Sequence, residues 1–343
     1  MAAHDSVGVA VVGCGSTAER RHLPAWKRLE QQGVRLVAAV SRDIHRAAAV
    51  AERYGIEDAL DDWRAVAVRD DVNVVDVCLP HALHTEVSVS MLRAGKHVLC
   101  EKPFSTNLAG ALQMAEAAQA SGALLMPFHN MRLGGLAQRA IAEVRSGAVG
   151  TPILIRGVMA HGGPDRTSDR RRWFLARSAG GGVVLDLGPH LFDLLEAMGQ
   201  RPSRLRAVLR TPTDSEVEGD GLIEVELHGG ALAELSLSWS MAGARVSELV
   251  VQGTEGTLRL TLLRDPPDGR GGPTQALVVA TKGSAEASVG YLDPLPDDEP
   301  CSALIRTLHG APPVLTAADG VQSIRWVESI YRSHQGGGAW VNC

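Results

Sequence analysis

Three short segments of this chain carry residue types that could do chemistry together. The first is a G-x-G-x-x-A segment at residues 13–18, and the second is Glu101-Lys102-Pro103. The third reads G-G-G-x-x-x-D-x-G-x-H-x-x-D at residues 180–193. A glycine-rich turn can hold phosphates, a lysine can donate to an oxygen, and a histidine beside carboxylates can move a proton. We expect the three segments to be walls of one active site.

The first segment has the features of a dinucleotide-binding turn. It follows the apolar, β-branched residues 7–12, which are typical of a buried parallel strand. Gly13 allows a tight turn, Gly15 lets a pyrophosphate approach the backbone, and Ala18 is small enough for a helix to pack on the strand. A plain glycine turn is the alternative, but a second apolar strand at residues 36–40 favours a βαβ unit. The predicted cofactor contacts in this segment are Gly13, Gly15, Ser16 and Thr17.

The residues that close the second strand bear on which cofactor binds. An acid there would bond the ribose hydroxyls and repel a 2′-phosphate. This chain has the neutral Ser41, followed by Arg42, whose guanidinium can pair with a phosphate. Asp43 comes two places late and is also typical of a helix N-cap. The sequence therefore favours NADP over NAD.

The alternation of strands and helices continues to about residue 128. Apolar strands are predicted at 74–79, 97–100 and 124–128, with helices at 85–94 and 109–120 between them. This order indicates a doubly wound parallel sheet, in which ligands bind beyond the carboxyl ends of the strands. The further cofactor contacts predicted at those ends are Leu79, Pro80, His81, His84, Glu101 and Lys102. His129 and Asn130, after the last strand, are predicted to contact the substrate.

The pattern changes after residue 128, where strands follow one another without helices. They are predicted at 153–160, 204–211, 222–227, 231–239, 246–252, 257–262 and 276–281. Such an order indicates an open, mainly antiparallel sheet. We therefore divide the chain into a dinucleotide-binding Rossmann domain, residues 1–128, and a substrate-binding and oligomerisation domain, residues 129–343. Exposed loops are predicted at 265–273 and 283–300, and a closing helix, at about 317–333, is expected to pack back on the first domain.

An apolar face of the second sheet indicates that the chain forms oligomers. Leu235, Leu237 and Trp239 alternate along one strand, as a buried face requires. We expect helices of the same chain to leave this face uncovered. A homodimer or homotetramer joined through the sheet would cover it.

Composition excludes several classes of protein. The 343 residues suit two domains, and the net charge of −5 with scattered basic residues argues against nucleic acid as a partner. The arginine-rich run at 166–177 is read mainly as a solvated loop. No stretch has the length and apolarity of a signal peptide or a membrane span. The five cysteines lack metal-ligand spacing, so we expect no metal and a reducing cytoplasm.

Lys102 is one of only four lysines in the chain. A lysine just past a strand end, in the predicted cleft, can donate to a substrate oxygen. The alternative is an ordinary surface lysine beside a turn proline. Because the other positive charges are almost all arginines, the catalytic interpretation is favoured.

The third segment places a polar stripe on an apolar helix. In a helix, Asp186, His190 and Asp193 fall within an arc of about 60°. Such a stripe must be hydrogen-bonded or face a cavity. The alternative is a core network in which His190 bonds Asp186 and does no chemistry. Pro189 cannot donate to residue 185, so it would kink the helix or delay its start.

These motifs resemble the Gfo/Idh/MocA family of NAD(P)-dependent oxidoreductases. The resemblance includes His22-Leu23-Pro24-Ala25 after the glycine-rich turn and the segment from Ala94 to Pro103, and it covers nearly the whole chain in order. It implies a Rossmann domain, a second α/β domain with an open antiparallel sheet, and oligomers formed through that sheet. Residues 129–132 depart from the family pattern. They read His-Asn-Met-Arg, where relatives often carry an aromatic, Asn and Arg run. The substrate residues implied by the family are Lys102, Trp173, Asp186 and His190.

The combined reading is a nicotinamide-dependent dehydrogenase or ketoreductase acting on a sugar, amino sugar or cyclitol. His190 is the candidate acid/base, Lys102 stabilises charge on the reacting oxygen, and Asp186 orients His190 or binds a neighbouring hydroxyl. The proton roles of Lys102 and His190 could be exchanged. Two other classes stay open: a dinucleotide-binding sensor without catalysis, and a glycosidase that oxidises its substrate transiently with bound NAD.

Overall fold

The computed structural model describes residues 6–164, 172–241, 245–264, 274–281, 283 and 299–343. The chain forms two compact units, one of residues 1–130 with 296–321 and one of residues 131–295 with 322–343. The predicted loop at 265–273, most of the one at 283–300 and the first part of the arginine-rich run, 166–171, lie outside the described residues. Within the described ranges, no helix is both long and apolar enough to cross a bilayer.

The first unit is built on a parallel sheet. Its described strands run in the order β3-β2-β1-β4-β5-β6, and every neighbouring pair is parallel. The chain winds outward in both directions from the β1–β4 pair, so a crevice opens at the carboxyl ends of these two strands. The predicted doubly wound sheet is confirmed. The strands are Val7–Val12 (β1), Val34–Val40 (β2), Asp58–Leu60 (β3), Val74–Val77 (β4), His97–Cys100 (β5) and Leu125–Pro127 (β6).

Helices connect the strands of this sheet and continue into the second unit. A π-helical turn, Ala18–His22, leads directly into the first α-helix. The α-helices among the described residues are Leu23–Arg28 (α1), Ile44–Tyr54 (α2), Arg64–Ala67 (α3), His84–Arg93 (α4), Leu108–Ser121 (α5), Asn130–Leu133 (α6), Gly135–Arg145 (α7), Val183–Ala197 (α8), Glu299–Leu308 (α9) and Ala317–Gln335 (α10). Short 3-10 turns lie at Glu30–Gln32, His81–Leu83, Arg172–Leu175 and Arg177–Ala179.

The second unit is built on a mixed sheet, in which the β10–β7 pair is parallel and the other pairs are antiparallel. The described strands lie in the order β13-β12-β11-β7-β10-β9-β8-β14. The predicted open, mainly antiparallel sheet is confirmed. The strands are Pro152–Ala160 (β7), Pro202–Arg210 (β8), Asp220–Leu227 (β9), Leu232–Ser238 (β10), Val246–Gly253 (β11), Gly256–Arg264 (β12), Thr274–Thr281 (β13) and Val341–Asn342 (β14).

The prediction that Leu235, Leu237 and Trp239 lie on an uncovered face is wrong. All three are buried within their own chain, with at most 5% of their surface exposed. Helix α8 covers them, and Gly188 of that helix lies close enough that an added Cβ would be 3.5 Å from Leu237. The alternation was read correctly, but an amphipathic strand shows only that one face is covered, not which helix covers it.

The closing helix α10 runs through both units. Its first turn lies in the first unit, where Gly320 lies against the ring of Phe104. In the second unit, Trp326 stacks on Phe192 of α8, with ring centroids 5.0 Å apart. This packing anchors α8, whose polar residues form part of the candidate site.

Candidate active site

The glycine-rich turn after β1 has the shape that a dinucleotide requires. Gly13 has φ +111°, and a Cβ there would collide with the carbonyl oxygen of Cys78. At Gly15, by contrast, no described heavy atom lies within 4 Å of where a Cβ would be. Ser16 and Thr17 follow at the start of the helical segment. The turn is therefore held against β4 on one side and open on the other, which fits a phosphate group.

Beyond β2, the structure assigns Asp43 a local role. Its carboxylate accepts the N–H groups of His45 at 3.1 Å and Arg46 at 3.4 Å, so it is the N-cap of α2. Ser41 is half-buried at the strand end, and Arg42 is exposed. The two side chains that follow β2 thus end in a hydroxyl and a guanidinium. The nearest acid, Asp43, is the N-cap of α2.

The loop after β4 holds a second group of predicted cofactor residues. Leu79 and Pro80 lead into the short turn with His81, which is 4% exposed. His84 is fully buried, with Nε2 2.8 Å from the carbonyl oxygen of Leu79 and Nδ1 2.8 Å from that of Pro103. The His84 ring thereby ties the loop after β4 to the loop after β5.

Glu101 is also turned into the protein. One carboxylate oxygen lies 3.0 Å from Nε2 of His22, and the other accepts the N–H of Lys102 at 2.8 Å. On its other side, His22 lies 2.9 Å from Asp76, whose carboxylate also accepts the indole N–H of Trp26 at 2.6 Å. We call Asp76, His22 and Glu101 the buried triad. Lys102, which directly follows Glu101, is half-buried.

The buried triad carries charge in the core. Burial disfavours the charge of His22, but the charges and hydrogen bonds of Asp76 and Glu101 outweigh it and raise the pKa of His22 to about 9. Burial likewise opposes ionisation of Glu101, yet the bond to His22 and the His22 charge lower the pKa of Glu101 to about 2. At neutral pH His22 is therefore an imidazolium, and Glu101 is ionised.

His129 and Asn130 follow β6 and are both buried, at 1% and 7% exposure. Neither ring nitrogen of His129 has a hydrogen-bond partner among the described residues. A buried imidazole without hydrogen-bond partners lowers the stability of the folded protein. A bound ligand with polar atoms at this position would supply those partners.

In the second unit, α8 carries the polar stripe of the third segment. The helix begins at Val183 and continues through Pro189 to Ala197, so the proline does not delay its start. His190 is 7% exposed and Asp193 is 2% exposed. Asp193 accepts from Nη1 of Arg132 at 3.0 Å, which fixes α8 to the segment that follows β6. The carboxylate of Asp193 is thus used in an ion pair with Arg132.

The triple glycine has a steric cause. A Cβ on Gly181 would collide with the carbonyl oxygen of Phe174, and one on Gly182 would collide with the carboxylate of Glu218. Glu218 is 6% exposed and accepts the N–H of Val184 at 3.1 Å and the hydroxyl of Tyr331 at 2.8 Å. Burial raises the pKa of Glu218. An acid at this end of α8 suits the positive end of the helix dipole.

Asp186 lies at the centre of an aromatic and polar group of side chains. Trp239 Nε1 donates to its Oδ2 at 3.2 Å, and Nε2 of His161 lies 3.9 Å from the same oxygen. Phe174 meets the Trp239 ring edge to face, with centroids 6.3 Å apart, and the predicted substrate residue Trp173 stacks on Phe174 at 3.9 Å. A few polar groups among aromatic rings are typical of small-molecule sites.

Sequence reasoning missed several of these residues. His161 directly follows β7, and Trp239 directly follows β10. Their positions at strand ends could have marked both as candidate site residues. Asp76 was detectable as an acid within an otherwise apolar strand. His22 stood in the quoted H-L-P-A segment, but nothing local pointed to its partners, which are 54 and 79 residues away.

Comparisons with known proteins identify the family of this chain. Residues 7–129 match the oxidoreductase family with an NAD-binding Rossmann fold, and residues 137–259 match the GFO/IDH/MocA C-terminal domain. The chain is 30% identical over 258 residues to D-apiose dehydrogenase of Paraburkholderia graminis, covering 74% of this chain and 67% of the relative. It is 32% identical over 273 residues to dTDP-3,4-didehydro-2,6-dideoxy-alpha-D-glucose 3-reductase of Actinomadura kijaniata, covering 76% of each.

Solved structures show the same fold over the full length. An aldose-aldose oxidoreductase from Caulobacter crescentus, complexed with glycerol, superposes with a TM-score of 0.83 at 26% identity, covering 98% of this chain and 100% of the other. An inositol dehydrogenase homolog from Azotobacter vinelandii, complexed with NADH and myo-inositol, superposes with a TM-score of 0.82 at 23% identity, covering 99% and 98%.

Fold, motifs and comparisons together define an oxidoreductase with an NAD(P)-binding Rossmann domain. The chain belongs to the Gfo/Idh/MocA family.

Proposed function

We propose that this protein transfers a hydride between a nicotinamide cofactor and a carbinol or keto carbon of a sugar, amino sugar or cyclitol. The observation that carries the proposal is the group around Asp186, in which a carboxylate, two tryptophans and His161 lie together one helical turn from His190. Polyols present several hydroxyls, which such carboxylate and imidazole groups can bond. The named relatives act on sugars or sugar nucleotides, which supports this choice of substrate.

In the proposed reaction, the nicotinamide ring, when bound, supplies or accepts the hydride. His190 takes the hydroxyl proton during oxidation and returns it during reduction. Lys102 donates to the same oxygen and stabilises the negative charge that develops on it. Asp186 binds a neighbouring hydroxyl or orients His190. The proton roles of Lys102 and His190 remain interchangeable in this scheme. Trp173, His129 and Asn130 are the further proposed substrate residues.

The proposal is tested by incubating the protein with NAD⁺ or NADP⁺ and a panel of sugars, amino sugars and cyclitols, and following NAD(P)H absorbance. The expected result is reduction of one cofactor with a subset of the panel. Cofactor binding without turnover of any panel member would favour a sensor. Release of free sugar from glycosides without net cofactor reduction would favour a glycosidase.

NADP is the proposed cofactor, because Ser41 and Arg42 follow β2 while Asp43 caps α2. The Arg42→Ala variant should weaken NADP(H) binding by about 1.5–3 kcal/mol, the usual value of a charge-assisted hydrogen bond, and should barely change NAD(H) binding. Titration of both cofactors measures this difference. Arg93→Ala, which removes another exposed arginine of the same unit, should change neither affinity. Equal losses for both cofactors in Arg42→Ala would show that Arg42 does not recognise the 2′-phosphate.

We also propose that the chain forms a dimer or tetramer through the second sheet, on the face opposite to α8. Val208, Leu222 and Leu232 share that face and are 64%, 46% and 53% exposed. Light scattering at micromolar concentration should give two or four times the chain mass of 36.3 kDa. Leu222→Glu should shift the protein towards the monomer, whereas Val68→Glu, on an exposed residue of the first unit, should not. A wild-type mass of one chain would contradict the proposal. The cytoplasmic location remains a prediction from the sequence.

A further inference from the structure

The backbone of Lys102 is tied to the buried triad. The contacts run in series from Asp76 to His22 at 2.9 Å, from His22 to Glu101 at 3.0 Å, and from Glu101 to the N–H of Lys102 at 2.8 Å. Asp76 belongs to β4, and Glu101 directly follows the neighbouring strand β5. His22 therefore bridges two adjacent strands at the end where Lys102 leaves the sheet.

We propose that His22 is a positioning residue, which fixes the catalytic Lys102 by holding Glu101 against the main chain of the Lys102 loop. This inference rests on the role proposed above for Lys102. No sequence motif or comparison assigns such a role to His22, and its side chain is itself fully buried.

His22 has little freedom to move. Its ring stacks on Phe128, with centroids 3.9 Å apart and an interplanar angle of 22°. At one side it is held by Asp76, whose carboxylate lies 2.9 Å from Nδ1 of His22. On the opposite side of the loop, His84 lies within hydrogen-bond distance of the carbonyl oxygen of Pro103. The segment that carries Lys102 is thus fixed before and after the lysine.

The charge state of the triad supports this function. An imidazolium has two N–H donors, one for each carboxylate, whereas a neutral imidazole has only one. Other charged or titratable groups also act on the triad. Arg21 and Lys102 favour ionised Glu101, and the thiol of Cys78 lies 3.5 Å from Asp76. The imidazole of His84 and the thiol of Cys100 interact electrostatically with Glu101. Loss of the second donor would free Glu101 from His22 and loosen the Lys102 main chain.

A loose lysine matters more to catalysis than to binding. Displacement of a reacting group by about 1 Å can cost about 100-fold in rate. His22→Gln, which can donate to only one of the two carboxylates at once, should therefore lower kcat by about 10- to 100-fold. The Kd of the cofactor should change by less than this, because the glycine-rich turn is left intact.

The test separates positioning from stability with a matched control. Trp26→Phe removes a bond to Asp76 at the far end of the triad from Lys102 and should lower the Tm while leaving kcat near the wild-type value. In a Lys102→Met background, His22→Gln should cause no further loss of kcat, since there is no lysine left to position. A purely structural role would lower kcat in both backgrounds.

Three outcomes would overturn the inference: wild-type kcat in folded His22→Gln, an equal loss of kcat in Trp26→Phe at matched Tm, or an additive loss in the double variant. If His22→Gln does not fold, Glu101→Gln replaces it, because an amide has one acceptor oxygen for two donors. The same loss of kcat is expected there, and again not in the Lys102→Met background. Wild-type kcat in Lys102→Met would instead contradict the proposed function itself.

Discussion

Lys102→Met and His190→Asn should each reduce turnover by roughly 10²- to 10⁴-fold, the usual contribution of a positioned acid or base. Both side chains are proposed to act on the reacting oxygen, so their interactions strengthen as the hydride moves. Cofactor affinity, which is proposed to depend mainly on Gly13, Gly15 and the helix after them, should change far less. Steady-state kinetics with the polyol found in the panel, together with cofactor titrations, measure the two effects.

The controls for this prediction come from the same chain. Lys27→Met replaces a partly exposed lysine and His228→Asn an exposed histidine, and both should keep wild-type turnover. The losses in the Lys102→Met/His190→Asn double variant should not add, because two groups that serve one oxygen act as a unit. Thermal melts must show that each variant folds. Near-wild-type turnover in folded His190→Asn would show that the core-network interpretation of α8 is correct.

Asp76→Ala should lower the free energy of unfolding by about 3–5 kcal/mol, the usual cost of removing one partner from a buried charged pair. The variant leaves the His22 imidazolium with Glu101 alone and leaves the indole N–H of Trp26 without its acceptor. Urea unfolding measures the change. Glu86→Ala, in which an exposed acid is removed from its ion pair with Arg64, should unfold at nearly the wild-type urea concentration.

The same triad predicts how stability depends on pH. Because the pKa of His22 is raised from 6.5 to about 9, its stabilising contribution is complete below pH 6.5 and is lost as the pH rises through about 9. Glu101, with its pKa lowered from 4.5 to about 2, contributes above pH 4.5 and loses its contribution as the pH falls towards 2. The wild type should therefore lose more stability between pH 6.5 and 9 than Asp76→Ala does. Parallel curves would contradict a charged His22.

The sequence was sufficient to predict the parts of this molecule that depend on local pattern. The apolar runs before Gly13 and before Glu101 predicted the strands β1 and β5, because strand burial and turn chemistry both depend on a few neighbouring residues. The position of Asp43 likewise allowed its reading as an N-cap. Each of these features requires only neighbours along the chain.

The parts that could not be predicted depend on distant partners. Gly182 is required by the carboxylate of Glu218, and Asp186 is held by Trp239, pairs that are 36 and 53 residues apart in the chain. The stripe on α8 therefore looked uniform in the sequence, although Asp193 is used in an ion pair with Arg132. Leu237 was assigned to an interface because nothing along the strand shows that α8 covers it.

The most direct test of the central claim is the transfer of a labelled hydride. A panel polyol deuterated at its ring carbons is incubated with the protein and NADP⁺ or NAD⁺, and the reduced cofactor is examined by mass spectrometry. The proposed function predicts one deuterium on the nicotinamide ring of the reduced cofactor, and Lys102→Met should slow its formation by roughly 10²- to 10⁴-fold under the same conditions. A reduced cofactor without deuterium, or no reduced cofactor with any sugar, amino sugar or cyclitol of the panel, would contradict hydride transfer from a polyol.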